Sequence, residues 1–529
     1  LVLIFLITLL SVTDLELYRW WGFRMDATVI KYMNTPREMA ASAAVAPVFL
    51  LIALFSVIFS GLVILYVLLL YPQNQFFQKN SLVLSAAGFL LIMAMTAILI
   101  IPIRGGFQLA PMNESAVFYS NKPELNNTAI NLPWNFIHSI LEKNYEDRNP
   151  FKKLDEGKAA EIVKHLYSAN RKSKIILKDK VNVVLIIWES FTAKVVKETG
   201  GKDSVTPEFS RLIKEGILFN NIYASGDRSD KGLVAILAGY PAQPTASIIT
   251  NPAKAMHLPS ISSELKNKGY STSFYYGGEP EFANIKSFLL NHNVDKLVSK
   301  SDFEEKYWNS KWGAHDEIVL ERFLEDMSRE KQPFFGSLFT LSSHEPFEVP
   351  IPPVFAGDDQ QTQFLNSLYY TDQCIGKFIE KAKKTSWWDN TVIIIIADHG
   401  HPYPSKDGVP NHEPDEFHIP MLWLGGALTS GPQINPQTGS QTDLANTLLH
   451  QMGIYTNKFP FSKDLMVEEN SPFAYYSFNN GFGYIQPGRE VVIDNISGKP
   501  IYSKGPIAGS DKEVGQAYLQ YSFQDYLNK

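Results

Sequence analysis

The stretch 390–400, Asn-Thr-Val-Ile-Ile-Ile-Ile-Ala-Asp-His-Gly, limits the fold more than any other in the chain. Residues 392–397 are apolar and mostly β-branched, with no alternation of polar positions. A strand with one wet face would alternate. An unbroken run is the pattern of a strand buried on both faces, as in the parallel sheets of α/β proteins. An acid and an imidazole, Asp398 and His399, follow where the strand ends. Open α/β sheets bind ligands outside the carboxyl ends of their strands. A carboxylate beside a neutral imidazole is half of a cation site. A second apolar run, 182–188, ends on Glu189. Two core strands that each deliver a hard ligand at the carboxyl end predict one cation between them.

The rest of the C-terminal half supports that fold class. Strand-like runs at 183–188, 218–224, 271–276, 334–341, 392–397 and 420–424 alternate with helix-like runs. The helical runs are 207–215, 231–238, 261–268, 315–328, 361–384 and 442–452. This alternation predicts an α/β domain over 181–470 with a largely parallel sheet. After 471 the pattern changes to short runs at 473–478, 484–486, 490–495 and 499–502, the last two joined at Ser497-Gly498. They predict a small antiparallel sheet as a C-terminal subdomain, 471–529.

The N-terminal part is of another kind. Residues 39–78 carry no charge, 46–71 are almost wholly apolar, and 82–103 are again uncharged. Both runs match the ~20 residues of a bilayer-spanning helix. The run 1–12 begins on Leu1 and reads as the tail of a membrane helix whose start is cut off. Residues 1–104 are therefore expected to be transmembrane helices, with a lipid bilayer as partner. The loop 13–38 carries Arg19, Arg24, Lys31 and Arg37 against Asp14, Glu16, Asp26 and Glu38, and the loop 72–81 carries one Lys. Counting positive charge alone would put the longer loop, and with it the C-terminal domain, in the cytoplasm. Residues 105–180 are polar and rich in Lys, with amphipathic helices expected near 134–142 and 158–167. They read as a linker, solvated or resting on an anionic membrane surface. The net charge of −6 gives no signature for nucleic acid. Cys374 is the only cysteine, which excludes an intrachain disulfide framework and a multi-cysteine metal site.

Between the two ligand-bearing strands lies Ala-Ser-Gly-Asp-Arg-Ser-Asp-Lys-Gly, residues 224–232, followed by an apolar run that stops at Gly239 and Pro241. It reads as strand, glycine turn and helix. Ser229 would stand at the helix N-terminus, where backbone N–H groups and the helix dipole favour an anion such as a phosphoryl group. With a cation beside it, its hydroxyl would be a nucleophile. The alternative is that Ser229 is only an N-cap. Arg228 and Lys231 flank it, and either could grip phosphate.

Glu189, Ser229 and Asp398-His399, in that order behind membrane helices, resemble the lipoteichoic acid synthase family. Further pieces fit the resemblance: Ser342-Ser343-His344-Glu345-Pro346-Phe347, Trp312-Gly313, the helix through Tyr369, Tyr370, Thr371, Asp372 and Phe378, and Thr442-Asp443. The family consists of membrane-anchored phosphoglycerol transferases with a sulfatase-like domain, within the alkaline phosphatase superfamily. The resemblance implies one divalent cation, commonly manganese, held by Glu189, Asp398, His399 and the oxygen of Ser229; Zn²⁺ and Mg²⁺ suit the same ligands. It implies attack on a phospholipid head group, a phosphoryl-enzyme intermediate, release of diacylglycerol, and transfer to a hydroxyl of a glycan or glycerol-phosphate acceptor. It places the catalytic domain outside the cytoplasmic membrane, against the charge count. The chain departs from the family in two places. Ser229 stands where the family usually has Thr, and a shift of one residue would put Arg228 there. Tyr275-Tyr276-Gly277-Gly278 stands where Gram-positive members carry Phe-His-Gly. A membrane-anchored phosphodiesterase or sulfatase-type hydrolase is the alternative activity. A formylglycine mechanism is disfavoured, because Cys374 lacks the Cys/Ser-x-Pro-x-Arg context.

Of the other histidines, His344 follows a strand and is expected to bind phosphate or a second metal. His418, before Ile419-Pro420, is expected to face the site, and Trp312 to contact substrate. His401 and His412 read as loop residues, and His315 as a helix start or a substrate contact.

Overall fold

A computed structural model describes residues 1–21, 24–26, 29, 47–70, 82–107, 111–120, 122–141, 148–168, 173–201, 205–309, 311–405, 410–467, 472–479, 481–506 and 509–529. The chain divides into two compact units, Leu1–Arg148 and Asn149–Lys529. The expected loop 72–81 and half of the loop 13–38 lie outside the described residues.

The first unit contains α1 (Val2–Trp21), α2 (Val48–Leu70), α3 (Leu82–Ile98) and α4 (Leu132–Leu141). Two stretches, Val48–Leu69 and Ser85–Pro102, are long and apolar enough to cross a membrane, and their side chains are not buried by protein. The first run of the chain continues as helix to Trp21. Asp14 is buried within that helix, accepts a bond from Met25 N at 2.6 Å and pairs with Arg24 at 2.8 Å. Phe5 packs edge-on against Phe55 and Phe59 of α2, with ring centroids 5.4 and 6.0 Å apart.

The second unit opens with α5 (Glu156–Leu166), then β1 (Asn182–Trp188), α6 (Pro207–Ile213), β2 (Ile217–Tyr223), α7 (Ser229–Ala238), β3 (Ser271–Tyr276) and β4 (Lys296–Val298). It continues through α8 (Asp316–Met327), β5 (Phe334–Phe339), α9 (Gln360–Ala382), β6 (Thr391–Ala397), β7 (His418–Leu424), β8 (Gln433–Asn435), β9 (Gly439–Ser440) and α10 (Leu444–Gln451). The main sheet runs β4-β3-β5-β1-β6-β7-β2-β8, with β9 beside β2. Every described pairing is parallel except those of β7, which is antiparallel to both neighbours. β1 and β6 lie side by side in mid-sheet and are buried along their whole length, as unbroken apolar runs require.

The small sheet is antiparallel, β10 (Ala474–Phe478), β11 (Gly481–Gln486), β12 (Arg489–Asp494) and β13 (Pro500–Lys504). It is followed by α11 (Gly509–Asn528), which the expected all-β C-terminal segment did not contain. α11 packs on β11 and on α5. Gln520 ties the two helices' surroundings together by accepting from Lys153 N and Leu154 N, each at 2.8 Å. The segment 105–180, read from sequence as a linker, is thus split between the two units, and its second half is built into the larger one.

Candidate active site

The register of β1 against β6 pairs Trp188 with Ala397, so the next residues on each strand, Glu189 and Asp398, emerge as neighbours. Both are buried. Ser190 turns the chain away with a φ of 57°, a left-handed conformation that non-glycine residues adopt rarely and mostly at special sites. In that conformation Ser190 N donates to Asp398 Oδ1 at 2.8 Å and Ser190 Oγ donates to Glu189 Oε1 at 2.8 Å. Thr340 Oγ1, just past β5, accepts from Glu189 N at 2.9 Å. Ser343 Oγ donates to the Glu189 carbonyl at 2.6 Å. The buried carboxylate of Asp316 holds that loop, accepting from Leu341 N at 2.7 Å and from Thr371 Oγ1 at 2.6 Å.

Helix α7 brings Ser229 to the same place. Ser229 is the first helical residue, while Arg228 holds the cap position in extended geometry without a side-chain cap bond. The Ser229 hydroxyl instead donates to Glu189 Oε2 at 3.2 Å and lies 3.5 Å from His399 Nε2. Close approach of the helix depends on Gly232: a Cβ there would meet the Asp398 carbonyl oxygen at 1.9 Å. Gln441 Nε2 donates to the carbonyls of Ala397 and Asp398, each at 2.7 Å, and its Oε1 accepts from Ser225 N. One side chain therefore fixes the end of β6 to the turn that precedes Ser229.

Glu189, Asp398 and His399 bring ligand atoms within 4.8 Å of one another. His399 Nδ1 lies 2.6 Å from the Gly400 carbonyl and donates to it, which turns Nε2 toward Glu189 Oε1 and Asp398 Oδ2, each 3.5 Å away. A metal-ligating histidine is oriented in this way. Asp398 Oδ2 is buried with no hydrogen-bond partner among the described residues. Burial pushes the Asp398 carboxyl up to about 7, helped by the charge of Glu189. Burial also opposes the charge on Glu189, but the hydrogen bond with His399 and the fields of His344 and His399 outweigh it and hold the carboxyl at about 2. Burial would lower His399, but Asp398 and Glu189 carry it up to about 10. All three shifts have one cause: an enclosed pair of carboxylates that attracts positive charge. Two carboxylates, an imidazole and a hydroxyl are a donor set that fits a divalent cation.

The remaining candidates sort by geometry. His344 is close enough to Glu189 to lower its pKa, and its ring packs against Trp312 at 4.4 Å. Trp312 is anchored by its Nε1 donating to the Glu345 carbonyl at 2.5 Å. Arg228 is exposed at the mouth of the site. Lys231 is buried and paired with Asp227 at 3.0 Å. His418 is engaged elsewhere: its Nε2 donates to the Asn220 carbonyl at 2.8 Å and its ring stacks on Tyr223 at 5.1 Å. The small sheet seats there, with Tyr476 stacked on Phe417 at 3.8 Å. Tyr276 is buried, and Glu189 and Asp398 add to the burial that raises its phenol. His401 lies in the loop after His399, as expected. Its ring stacks on Phe364 at 4.0 Å, and burial first, then the charge of His399, lowers it to about 3. Ser190 and Gln441 left no signal in the sequence, because their roles exist only once strands and turns meet. Cys374 is buried in α9 with its thiol pushed up by burial, a packing residue.

The family model described as Sulfatase matches residues 181–454, just over half of the chain. The chain belongs to the sulfatase family. A lipoteichoic acid synthase-like protein of Bacillus subtilis (strain 168), YvgJ, is 25% identical over 390 residues, a match covering 67% of this chain and 63% of that protein. Phosphoglycerol transferase I of Escherichia coli (strain 55989 / EAEC) is 29% identical over 248 residues, 43% of this chain and 32% of the relative. The chain thus spans less than two thirds of the length of either. A crystal structure of a protein in the alkaline phosphatase superfamily from Vibrio parahaemolyticus superposes with a TM-score of 0.62 at 27% identity, covering 72% of this chain and 97% of that one. The sulfatase-family fold and the lipoteichoic acid synthase resemblance drawn from Glu189, Ser229 and Asp398-His399 agree with these matches.

Proposed function

We propose that this chain is a phosphotransferase that moves a phosphoglycerol-type or phosphoethanolamine-type head group from a membrane phospholipid to a hydroxyl acceptor, through a phosphoryl ester on Ser229. The observation that carries this reading is Ser229 Oγ on Glu189 Oε2, at the cluster of Glu189, Asp398 and His399, at a helix N-terminus. Support comes from relatives named for lipoteichoic acid synthesis and phosphoglycerol transfer. The two helices of bilayer length put a lipid donor within reach of the same chain.

Glu189, Asp398, His399 and Ser229 would hold one divalent cation, Mn²⁺ by preference, with Zn²⁺ and Mg²⁺ suited to the same donors. When bound it neutralises phosphate charge and lowers the pKa of the hydroxyl. The chain's own groups do the rest. The backbone N–H groups at the start of α7 orient the phosphoryl oxygens. Ser229 Oγ forms the bond to phosphorus, its proton passes to Glu189, and the bond to the diacylglycerol oxygen breaks, that oxygen taking a proton from solvent at the mouth. The acceptor oxygen then forms the bond to phosphorus as the Ser229 ester bond breaks, Ser229 Oγ regains its proton from Glu189, and the acceptor's proton leaves to solvent. Arg228, His344 and Trp312 line the approach, and Lys231 steadies Asp227 behind it. Tyr276, standing where Gram-positive members have an imidazole, is the residue to set head-group choice. We place the catalytic unit outside the cytoplasmic membrane in a multi-pass protein, where both donor and glycan or glycerol-phosphate acceptor are found.

The test is release of labelled diacylglycerol from phosphatidylglycerol and from phosphatidylethanolamine, by wild type and Ser229→Ala. Equal release by both proteins would remove Ser229 as nucleophile. Product analysis separates transfer from hydrolysis: the label ends on a glycan or glycerol in one case and as a free phosphoester in the other.

A further inference from the structure

Helix α4, in the first unit, reverses the usual arrangement of a surface helix. Such a helix turns its apolar stripe inward and its polar residues to water. In α4, Leu132–Leu141, the polar Asn135 and Ser139 are buried with Leu132, forming one face at spacings of three and four. The opposite face has the same spacings and is apolar. It carries Ile137 and Leu141, 56% and 75% exposed, and Trp134, half-buried with its ring stacked on His138 at 4.3 Å. The ten residues of the helix include no Asp, Glu, Lys or Arg.

The inward face fixes where the helix sits. Asn135 Nδ2 donates to the Met25 carbonyl at 3.2 Å, Met25 N donates to Asp14 Oδ1 at 2.6 Å, and Asn127 Nδ2 donates to the Tyr18 hydroxyl at 3.3 Å. α4 and the segment before it are therefore held at the end of α1. Along α1 the exposed apolar side chains run from Leu1 to Leu15, and the polar contacts begin at Asp14. In a bilayer such a change marks the membrane–water interface, where Trp and Tyr collect. The outer face of α4 thus continues, at that level, the lipid-facing surface of the same unit. We propose that α4 is an interfacial helix, lying in the bilayer surface with Trp134, Ile137 and Leu141 sunk about 5–10 Å into the boundary of head groups and acyl chains. With no charged side chain, it is held by apolar area and not by attraction to anionic lipid. The proposal rests on the reading of Val48–Leu69 and Ser85–Pro102 as membrane spans, and not on the chemistry assigned to Ser229.

The test uses the full chain in phosphatidylcholine nanodiscs, with Cys374→Ala removing the native thiol and a bimane label placed by Ile137→Cys or, as a control within a span, by Leu65→Cys. Quenchers are doxyl groups at a shallow or a deep position on the lipid, and iodide in the water. The label at position 137 should lose fluorescence to the shallow doxyl lipid, less to the deep one and little to iodide, with no change at high salt. The label at position 65 should be quenched by the deep doxyl lipid. Quenching at 137 by iodide and not by lipid would place the face in water. Quenching by neither would place it against protein, either a second copy or another part of this chain. Lipid quenching lost at high salt would make charge the anchor. Each of these, with position 65 quenched by lipid, overturns the interfacial helix and leaves the spans standing. No lipid quenching at position 65 removes the spans and the proposal together. Leu141→Cys reports the same face should Ile137→Cys fail to fold.

Discussion

His399 and His418 stand on adjacent strands at one edge of the sheet, yet they live in opposite electrostatic settings. β7 runs antiparallel to β6, so the start of one strand meets the end of the other. His399 turns Nε2 toward two buried carboxylates and is drawn up to about 10. His418 has its Nε2 bonded to a backbone carbonyl, its ring stacked on Tyr223, and its pKa lowered, chiefly by burial. The first cluster has unmet demand for positive charge, and the second is satisfied by protein alone. The two histidines differ in what their nitrogens face, not in their place along a strand.

The comparison can be broken most severely at Ser229. Ser229→Ala should cut diacylglycerol release by at least about a thousandfold while leaving divalent-cation stabilisation measurable, since removal of a nucleophile costs several orders of magnitude. A smaller effect would mean that the cluster does not act through this hydroxyl.

The next lever is pH. In the metal-free protein Asp398 is raised to about 7 and His399 to about 10, so the folded state binds more protons than the unfolded state from near pH 4 to near pH 10. The stability from these groups is present at low pH and is lost as pH rises through those folded values. Glu189, lowered to about 2, contributes with the opposite sign and only below about pH 4.5. The rise in melting temperature on adding Mn²⁺ should therefore grow from pH 5 to pH 9. In Asp398→Asn the Mn²⁺-dependent rise should vanish while the metal-free protein melts higher than wild type. A flat Mn²⁺ increment across pH would break the contrast with His418.

Asp372 sharpens the contrast from the carboxylate side. Burial raises it to about 7 as well, but it caps α6, accepting from Glu208 N and Phe209 N at 2.8 Å each. Asp372→Ala should cost about 1–2 kcal/mol in denaturant unfolding with unchanged Mn²⁺ affinity, and Asp372→Asn should recover part of that loss. The smallest effect belongs to His418→Phe, about 1 kcal/mol from one lost hydrogen bond, with turnover and metal affinity unchanged. A loss of activity beyond the loss of folded protein would return His418 to the site.

The apolar runs were legible because burial on both faces writes itself into every residue of β1 and β6. The order Glu189, Ser229, Asp398-His399 was legible because each chemical group sits at the boundary of such an element. α11 was not. Its buried residues include Gly515, Ala517, Tyr518, Ser522, Phe523 and Tyr526, so its inward positions mix small, polar and aromatic residues and leave no clear apolar stripe. Gly515 is there for space: a Cβ at that position would meet Phe482 at 2.3 Å. The packing of His401 was not legible, because the ring of Phe364 that it stacks on comes from a distant helix.

What the sequence determined alone was local: which runs become central strands, where they end, and which carboxylates, imidazole and hydroxyl those ends carry. What the tertiary structure decided was relational. It set the register that puts Glu189 beside Asp398, the left-handed turn at Ser190 that braces both carboxylates, and the seat of the small sheet beside His418. The division has a physical cause. Burial and strand propensity act residue by residue, whereas a pKa, a ligand set or a stacked ring depends on partners that only folding brings within a few ångströms.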